Sequence, residues 1–196
     1  MPALQVSIDG KIIATISANG LDLVAAKVTG SRLGDQLAHL VVNAVTPPEE
    51  GESTCLTWSD RAVLQLGEKI TFSLIAEGST HPTGKTSAEL FPASKPEGRD
   101  VPTLDAKLRA ELRAQPTRWR SVSYHISFSE RTASGTTKPD DYGFCFMVNW
   151  ICMSHLARPR VSFRTYTLDE LEANTMRSLF EAKLEIGQHV EFALDA

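Results

Sequence analysis

The feature that most constrains this chain is the alternation of apolar and polar residues after Gly67. Ile70, Phe72 and Leu74 alternate with Thr71 and Ser73. Because successive side chains of a β-strand point to opposite faces, this period predicts a strand with one face buried and the other largely in water. One-sided burial is common in antiparallel sheets. The pattern therefore favours an antiparallel β protein.

Further strands and turns support a mainly β chain. Asp9-Gly10 separates two apolar runs, which is the strongest short-range signal of a β-hairpin. Two helices are also predicted, one over residues 103–114 capped by Thr103, and one of about four turns over residues 168–182 behind a capping box at Thr167. The predicted fold class is mainly β with one or two helices (α+β). Other predicted strands cover residues 21–28, 37–45, 54–58, 122–129, 143–153 and 160–166.

An internal repeat relates the two halves of the sequence. Residues 66–74 (LGEKITFSL) align without gaps on residues 186–194 (IGQHVEFAL). Upstream, residues 40–45 (LVVNAV) align on residues 146–151 (FMVNWI), and this second match requires an insertion of 14 residues in the second copy. We place the predicted helix of residues 168–182 in that insertion. Any two amphipathic strands look alike after a glycine turn, which is the simpler explanation.

The repeat and the composition suggest three segments. Residues 1–78 form an N-terminal β unit, and residues 79–102 form a Pro/Gly-rich loop or linker. Residues 103–196 form a helix followed by a C-terminal β unit with the inserted helix (168–182). Two related antiparallel units can stack or share one sheet system. Alternatively, a single sandwich can take one sheet from each half.

Composition and termini exclude several classes of protein. The chain has 196 residues and a net charge of −4, which gives no general affinity for nucleic acid. The N-terminal residues lack a secretory signal pattern, and no apolar run approaches the length needed to cross a bilayer. Three scattered cysteines argue against a disulfide framework. We therefore expect a cytoplasmic protein with reduced thiols.

Motifs that would support an enzyme are incomplete. Residues 78–86 (GSTHPTGKT) end like a phosphate-binding loop, but five residues separate the glycines where that loop has four. Cys145, Cys152 and His155 would share a face only on a helix, and their neighbours favour a strand. No nucleophile has a visible base beside it. The sequence predicts no enzyme, no catalytic residue, no metal and no cofactor.

A protein-binding surface is the better prediction. Arginines flank the predicted strands of the second half, and Trp119 lies between two of them. Interfaces favour arginine with exposed aromatic residues. These arginines are Arg118, Arg120, Arg131, Arg158, Arg160, Arg164 and Arg177. The first 78 residues are acidic, which suits a basic partner such as a toxin or a nucleic-acid enzyme. The simpler explanation of the arginines is a solvated face that balances nearby carboxylates. The predicted contact residues are Trp58, Asp60, Trp119, Arg120, Asp140 and Asp141.

Short motifs in the first 92 residues resemble small bacterial β proteins. They are residues 20–24 (GLDLV), 55–58 (CLTW) with 66–70 (LGEKI), and 81–86 (HPTGKT) with 89–92 (ELFP). Some such proteins are similar in size and composition to immunity proteins, which inhibit antibacterial toxins. The resemblance implies an immunity protein with a cognate toxin as its protein partner.

Two alternatives remain open. One is a small-ligand-binding protein or enzyme with a pocket between the halves, in which His125, Arg164 or Cys145 converge with shifted pKa values. The other is a structural subunit of a bacterial or phage assembly, which would self-associate.

Overall fold

The fold is known from a computed structural model. It describes residues 1–34, 36–49, 51–92, 105–117, 119, 121–153 and 158–195, without the side chains of Asp60 and Arg61. Thr103, the predicted helix cap, lies outside the described residues. Asp105 instead caps the second helix, because its side chain accepts a hydrogen bond from the Leu108 amide at 2.8 Å.

The described residues form strands in both halves and three short helices. The strands are β1 (Ala3–Ile8), β2 (Lys11–Ser17), β3 (Leu23–Ser31), β4 (Ala38–Val45), β5 (Cys55–Leu64), β6 (Lys69–Ile75), β7 (Lys85–Thr86), β8 (Ser123–Phe128), β9 (Arg131–Thr136), β10 (Gly143–Ile151), β11 (Arg160–Tyr166), β12 (Arg177–Lys183) and β13 (His189–Asp195). The helices are α1 (Ser87–Leu90), α2 (Ala106–Ala114) and α3 (Leu168–Glu172).

Two antiparallel sheets enclose one hydrophobic core. Sheet A has six strands in the order β2-β1-β6-β13-β8-β9, and sheet B has seven in the order β12-β11-β10-β3-β4-β5-β7. Each half of the chain contributes to both sheets, and the halves meet at the β6–β13 and β3–β10 pairs. The predicted mainly β fold of two related antiparallel units is confirmed. The units share their sheets, so the alternative of one sheet from each half is wrong.

Strand order repeats between the halves, and several equivalent strands begin 120 residues apart. β1 begins at Ala3 and β8 at Ser123, β3 begins at Leu23 and β10 at Gly143, and β6 begins at Lys69 and β13 at His189. Register agrees as well, since Val6 lies opposite Phe72 while Ile126 lies opposite Phe192. The aligned segments 66–74 and 186–194 therefore occupy equivalent places beside the centre of sheet A.

Two details of the predicted repeat are wrong. Residues 40–45 lie in β4 and residues 146–151 in β10, whereas the counterpart of β10 at the 120-residue offset is β3. The 14-residue insertion is therefore not needed. The predicted helix of residues 168–182 ends at Glu172 and is followed by β12. Its capping box at Thr167 forms, but Asn174 has a positive φ of 53° that ends the helical run.

The linker predicted over residues 79–102 contains regular secondary structure in its described part. Residues 93–102 lie outside the described residues, whereas residues 79–92 include β7 and the single turn α1. His81 and Thr15 exchange both backbone hydrogen bonds, at 2.8 and 2.9 Å. We call residues 78–86 the strap, because they run from the edge of sheet A at β2 to the edge of sheet B at β5.

An aromatic cluster joins the two sheets where the halves meet. The Phe146 ring stacks on Phe72 with centroids 5.5 Å apart and on Phe192 with centroids 4.6 Å apart. The counterpart of Phe146 at the 120-residue offset is Ala26, which is also fully buried. One large and one small side chain thus fill the space beside the centre of the molecule, where two phenylalanines would crowd the core.

Phe146→Ala should strongly destabilise the fold. The substitution removes a fully buried ring that contacts both sheets, and such changes cost about 3–5 kcal/mol. Ile151→Ala on the same strand is the control, because Ile151 is 55% exposed. Urea unfolding of the two variants measures the difference. Equal free energies of unfolding would contradict a core centred on Phe146.

Candidate functional site

The outer face of sheet B carries a line of polar side chains across its strands. Cross-strand pairing places Asn43 beside Ala25, Ala25 beside Asn149, Asn149 beside Arg160, and Arg160 beside Lys183. We call these five residues the outer row. Paired residues point to the same face, and neighbouring strands lie about 4.8 Å apart. A ligand that crosses the strands would therefore meet these side chains in sequence.

Two side-chain amide oxygens of the outer row lack hydrogen-bond partners among the described residues. The side-chain oxygens of Asn43 and Asn149 are buried and accept no hydrogen bond from the described residues. The two residues flank Ala25 on either side, so their positions lie about 10 Å apart. A buried oxygen without a donor costs about 1–3 kcal/mol. A ligand that donates hydrogen bonds at these points would recover that free energy.

A groove opens on the same face, over β10, β11 and β12. Its volume is about 470 Å³. This lies within the range of small-ligand pockets, about 300–1,000 Å³. Side chains of the C-terminal half line it: Met147, Asn149, Arg160, Arg164, Glu181 and Lys183.

Positive charge dominates the groove. Arg164 pairs with Glu181 at 3.5 Å, and Glu181 also accepts a hydrogen bond from the Ser178 hydroxyl at 2.9 Å. Arg160 and Lys183 have no ion-pair partner among the residues described. A carboxylate or phosphate that enters the groove could therefore pair with two cations without displacing an existing partner.

In the N-terminal half, the positions equivalent to Asn149, Arg160 and Lys183 hold no arginine or lysine, although Lys27 occupies the position equivalent to Met147. Asn149, Arg160 and Lys183 correspond there to Thr29, His39 and Val63 by strand pairing. The Thr29 hydroxyl and the His39 Nε2 lie 3.1 Å apart and hydrogen-bond to each other. The N-terminal side chains thus interact with each other, whereas those of the C-terminal half leave an amide oxygen and two cations available to a ligand.

Cys145 lies beside the groove but is a poor nucleophile. It pairs with Arg164 across β10 and β11. Burial raises the pKa of the Cys145 thiol, while the nearby Lys27 and Arg164 charges oppose that rise. The protonated thiol is the unreactive form. The His125 side chain is exposed on β8 in sheet A, so His125 does not join Arg164 and Cys145.

The two tryptophans predicted as contacts pack within the protein. The Trp58 indole nitrogen donates to the Pro82 carbonyl at 2.7 Å and so holds the strap. The Trp119 ring packs against Phe144 with centroids 6.1 Å apart, at the margin of the core. Both are only partly exposed. Their contacts give each tryptophan a structural role.

The other predicted contacts divide between surface and interior. Asp140 is exposed, but Asp141 is only 1% exposed and pairs with Arg177. An Asp141 oxygen also accepts the Lys138 amide at 2.7 Å, and Arg177 lies 3.2 Å from a Glu170 oxygen. Asp141 as a contact residue is therefore corrected to a buried structural carboxylate. Arg120 and the Asp60 side chain lie outside the described residues.

Of this region, the sequence pointed to Arg164 and Cys145 as pocket residues and to Arg160 only as one of the arginines of the second half. The other groove residues come from three strands separated by loops and α3, and only sheet pairing brings them together. The alternation of Arg160, Ser162 and Arg164 along β11 was the available signal, since it places both arginines on one face.

Searches for metal and membrane features add no further site. In the described parts of the chain, no group of three His, Cys, Asp or Glu side chains could hold a metal ion. None of the described helices has the length and apolar character needed to cross a membrane.

Comparisons with known proteins give no relative from which to transfer a function. No family model, curated protein or solved structure matches the chain. The resemblance to small bacterial β proteins therefore stays a prediction.

Asp141→Asn should destabilise the protein, whereas Asp140→Asn should not. Loss of the buried carboxylate leaves Arg177 without its main partner, a change that costs on the order of 3 kcal/mol. Asp140 is exposed in the same loop, so its substitution is the matched control. Thermal and urea unfolding measure both variants. A neutral Asp141→Asn would contradict a structural role.

Iodoacetamide should label Cys55 before the other two cysteines. Cys55 is exposed, whereas burial raises the pKa of Cys145 and raises the pKa of Cys152 to about 11. A rise of about two pH units lowers the thiolate fraction of Cys152 about 100-fold near neutral pH. Labelling of Cys152 should therefore keep rising as the pH approaches 11. Mass spectrometry of each peptide, with urea-unfolded protein as control, measures the rates; equal rates in the folded protein would contradict the burial.

Proposed function

We propose that this protein is a non-catalytic binding module, and that the groove on sheet B receives an acidic group of a protein partner. The observation that carries the proposal is the outer row, where Arg160 and Lys183 have no carboxylate partner within the described parts of the chain and lie beside the unpaired oxygen of Asn149. A carboxylate side chain on an extended segment fits this arrangement. Its charge pairs with the cations, and a backbone N–H supplies the donor that Asn149 needs.

The groove chemistry supports binding over catalysis. Arg160, Arg164 and Lys183 offer only positive charge and hydrogen-bond donors, which bind and orient anions. The nearest thiol, Cys145, has a raised pKa. The groove offers charge and hydrogen bonds for recognition, but its described side chains do not pair a nucleophile with a base.

Within this class, the role predicted from sequence is that of a cytoplasmic immunity protein that neutralises a cognate toxin. The groove suits an acidic loop on such a partner, while the acidic N-terminal residues suit a basic surface of the same partner. In that setting the protein would form a tight 1:1 complex, and both charge patterns would contribute to its rate of association.

A small anionic ligand is the second candidate. The groove volume of about 470 Å³ favours it, because a partner's side chain alone would leave part of that space unfilled. A compact polycarboxylate could span Arg160 and Lys183, which are paired across β11 and β12.

Titration of labelled protein with acidic probes tests the proposal. The probes are a capped pentaglutamate peptide, citrate and inorganic phosphate, followed by amide NMR shifts. The peptide should shift the resonances of Asn149, Arg160 and Lys183. The double variant Arg160→Ala/Lys183→Ala should weaken its binding at least about 10-fold, and added salt should weaken it further.

A charge-matched control separates the groove from general attraction. Lys11→Ala/Lys138→Ala removes the same charge from exposed positions outside the groove and should leave peptide binding unchanged. Citrate binding without peptide binding would favour the small-ligand candidate. If no probe shifts the groove resonances, or if both double variants weaken binding equally, the proposal is wrong.

A further inference from the structure

The N-terminal half covers its own sheet edges. The strap bonds to β2 through His81 and Thr15, and the Ser17 amide donates to the Thr80 hydroxyl at 3.1 Å. It then continues as β7, which pairs with β5 at the edge of sheet B. Uncovered strand edges tend to pair with other chains. The strap therefore protects both edges of this half.

The corresponding edges of the C-terminal half are uncovered. β9 and β12, the counterparts of β2 and β5, are the last strands of their sheets, and no described segment pairs with their outer sides. Gln5 pairs with Thr15, and its counterpart His125 pairs with Ser134. Ser134 thus occupies the position at which the N-terminal half binds the strap.

The register shows which β9 groups face outward. The Thr137 amide donates to the Val122 carbonyl, so the backbone of Thr137 points toward β8. Directions alternate along an antiparallel strand, so Thr132, Ser134 and Thr136 direct their N–H and C=O groups away from β8. These three residues form an unpaired row of donors and acceptors.

β9 lacks the usual protection against edge pairing. From Thr132 to Thr136 it contains no charge and no proline, and its pairing with β8 has no bulge. Its one charged residue, Arg131, lies at the strand's start over the Phe180 ring at 5.4 Å. β12 differs, because it carries charged residues along its length, namely Arg177, Glu181 and Lys183.

We propose that two copies of this chain associate by antiparallel pairing of β9 with β9. With Ser134 on the two-fold axis, Ser134 meets its own copy and Thr132 meets Thr136. Each outward residue then exchanges two backbone hydrogen bonds, and the two six-stranded A sheets become one continuous sheet. No like charges face each other across this register, and β9 lacks the charges that β12 carries along its length.

Ser134→Pro tests the pairing. Proline removes an N–H that points away from β8, so the edge strand can tolerate it. Sedimentation should show that the wild type is a dimer that dissociates on dilution and that Ser134→Pro is a monomer. The circular dichroism spectrum of Ser134→Pro should match that of the wild type, which shows that the variant is folded. Ser134→Ala keeps the N–H and should remain a dimer.

Hydrogen exchange on the wild type provides a second measurement that needs no substitution. The Ser134 and Thr136 amides should exchange slowly at high protein concentration and rapidly at low concentration. Three results would each overturn the inference. The wild type could be monomeric at about 1 mM, the Ser134→Pro variant could remain a dimer, or the exchange rates of the β9 amides could be independent of protein concentration. The groove variants Arg160→Ala/Lys183→Ala should dimerise normally, so this result is independent of the proposed function.

Discussion

The structure depends on how the two halves fill the space where they meet. β6 pairs with β13 in sheet A and β3 pairs with β10 in sheet B, and the stacked rings of Phe72, Phe146 and Phe192 connect these pairs. Equivalent positions near the centre of a repeated fold compete for the same volume. Ala26, at the position equivalent to Phe146, resolves that competition, and small residues elsewhere on β3 act in the same way. A Cβ on Gly30, for example, would lie 2.4 Å from the Phe144 ring.

Local patterns predicted the strands with one clearly buried face, and failed where tertiary contacts decide. The alternation around Phe72 and Phe192 predicted β6 and β13, and residues 160–166 match β11. β9 was missed because its sequence, RTASGT, is polar on both faces and is a strand only through pairing with β8. The helix of residues 168–182 was overextended because a capping box predicts where a helix begins, not where it ends.

The candidate site was harder to predict than the fold, because it depends on register. Asn149, Arg160 and Lys183 are neighbours only through the β10–β11 and β11–β12 pairings. The predicted contacts relied instead on residue type, and Trp58 and Asp141 fulfil structural roles with those same side chains. Arginine and tryptophan are frequent at interfaces, yet they serve equally well to hold loops and buried carboxylates.

The two halves share a strand plan but differ in what they leave unpaired. In the N-terminal half the strap covers β2 and β5, and Thr29 hydrogen-bonds to His39. In the C-terminal half no described strand covers β9, and the positions equivalent to Thr29 and His39 hold Asn149 and Arg160. Most of the groups that we propose for binding thus lie in the C-terminal half, although Asn43 of the outer row belongs to the N-terminal half. Because β9 belongs to sheet A and the groove to sheet B, pairing through β9 would leave the groove of each copy open to its own ligand.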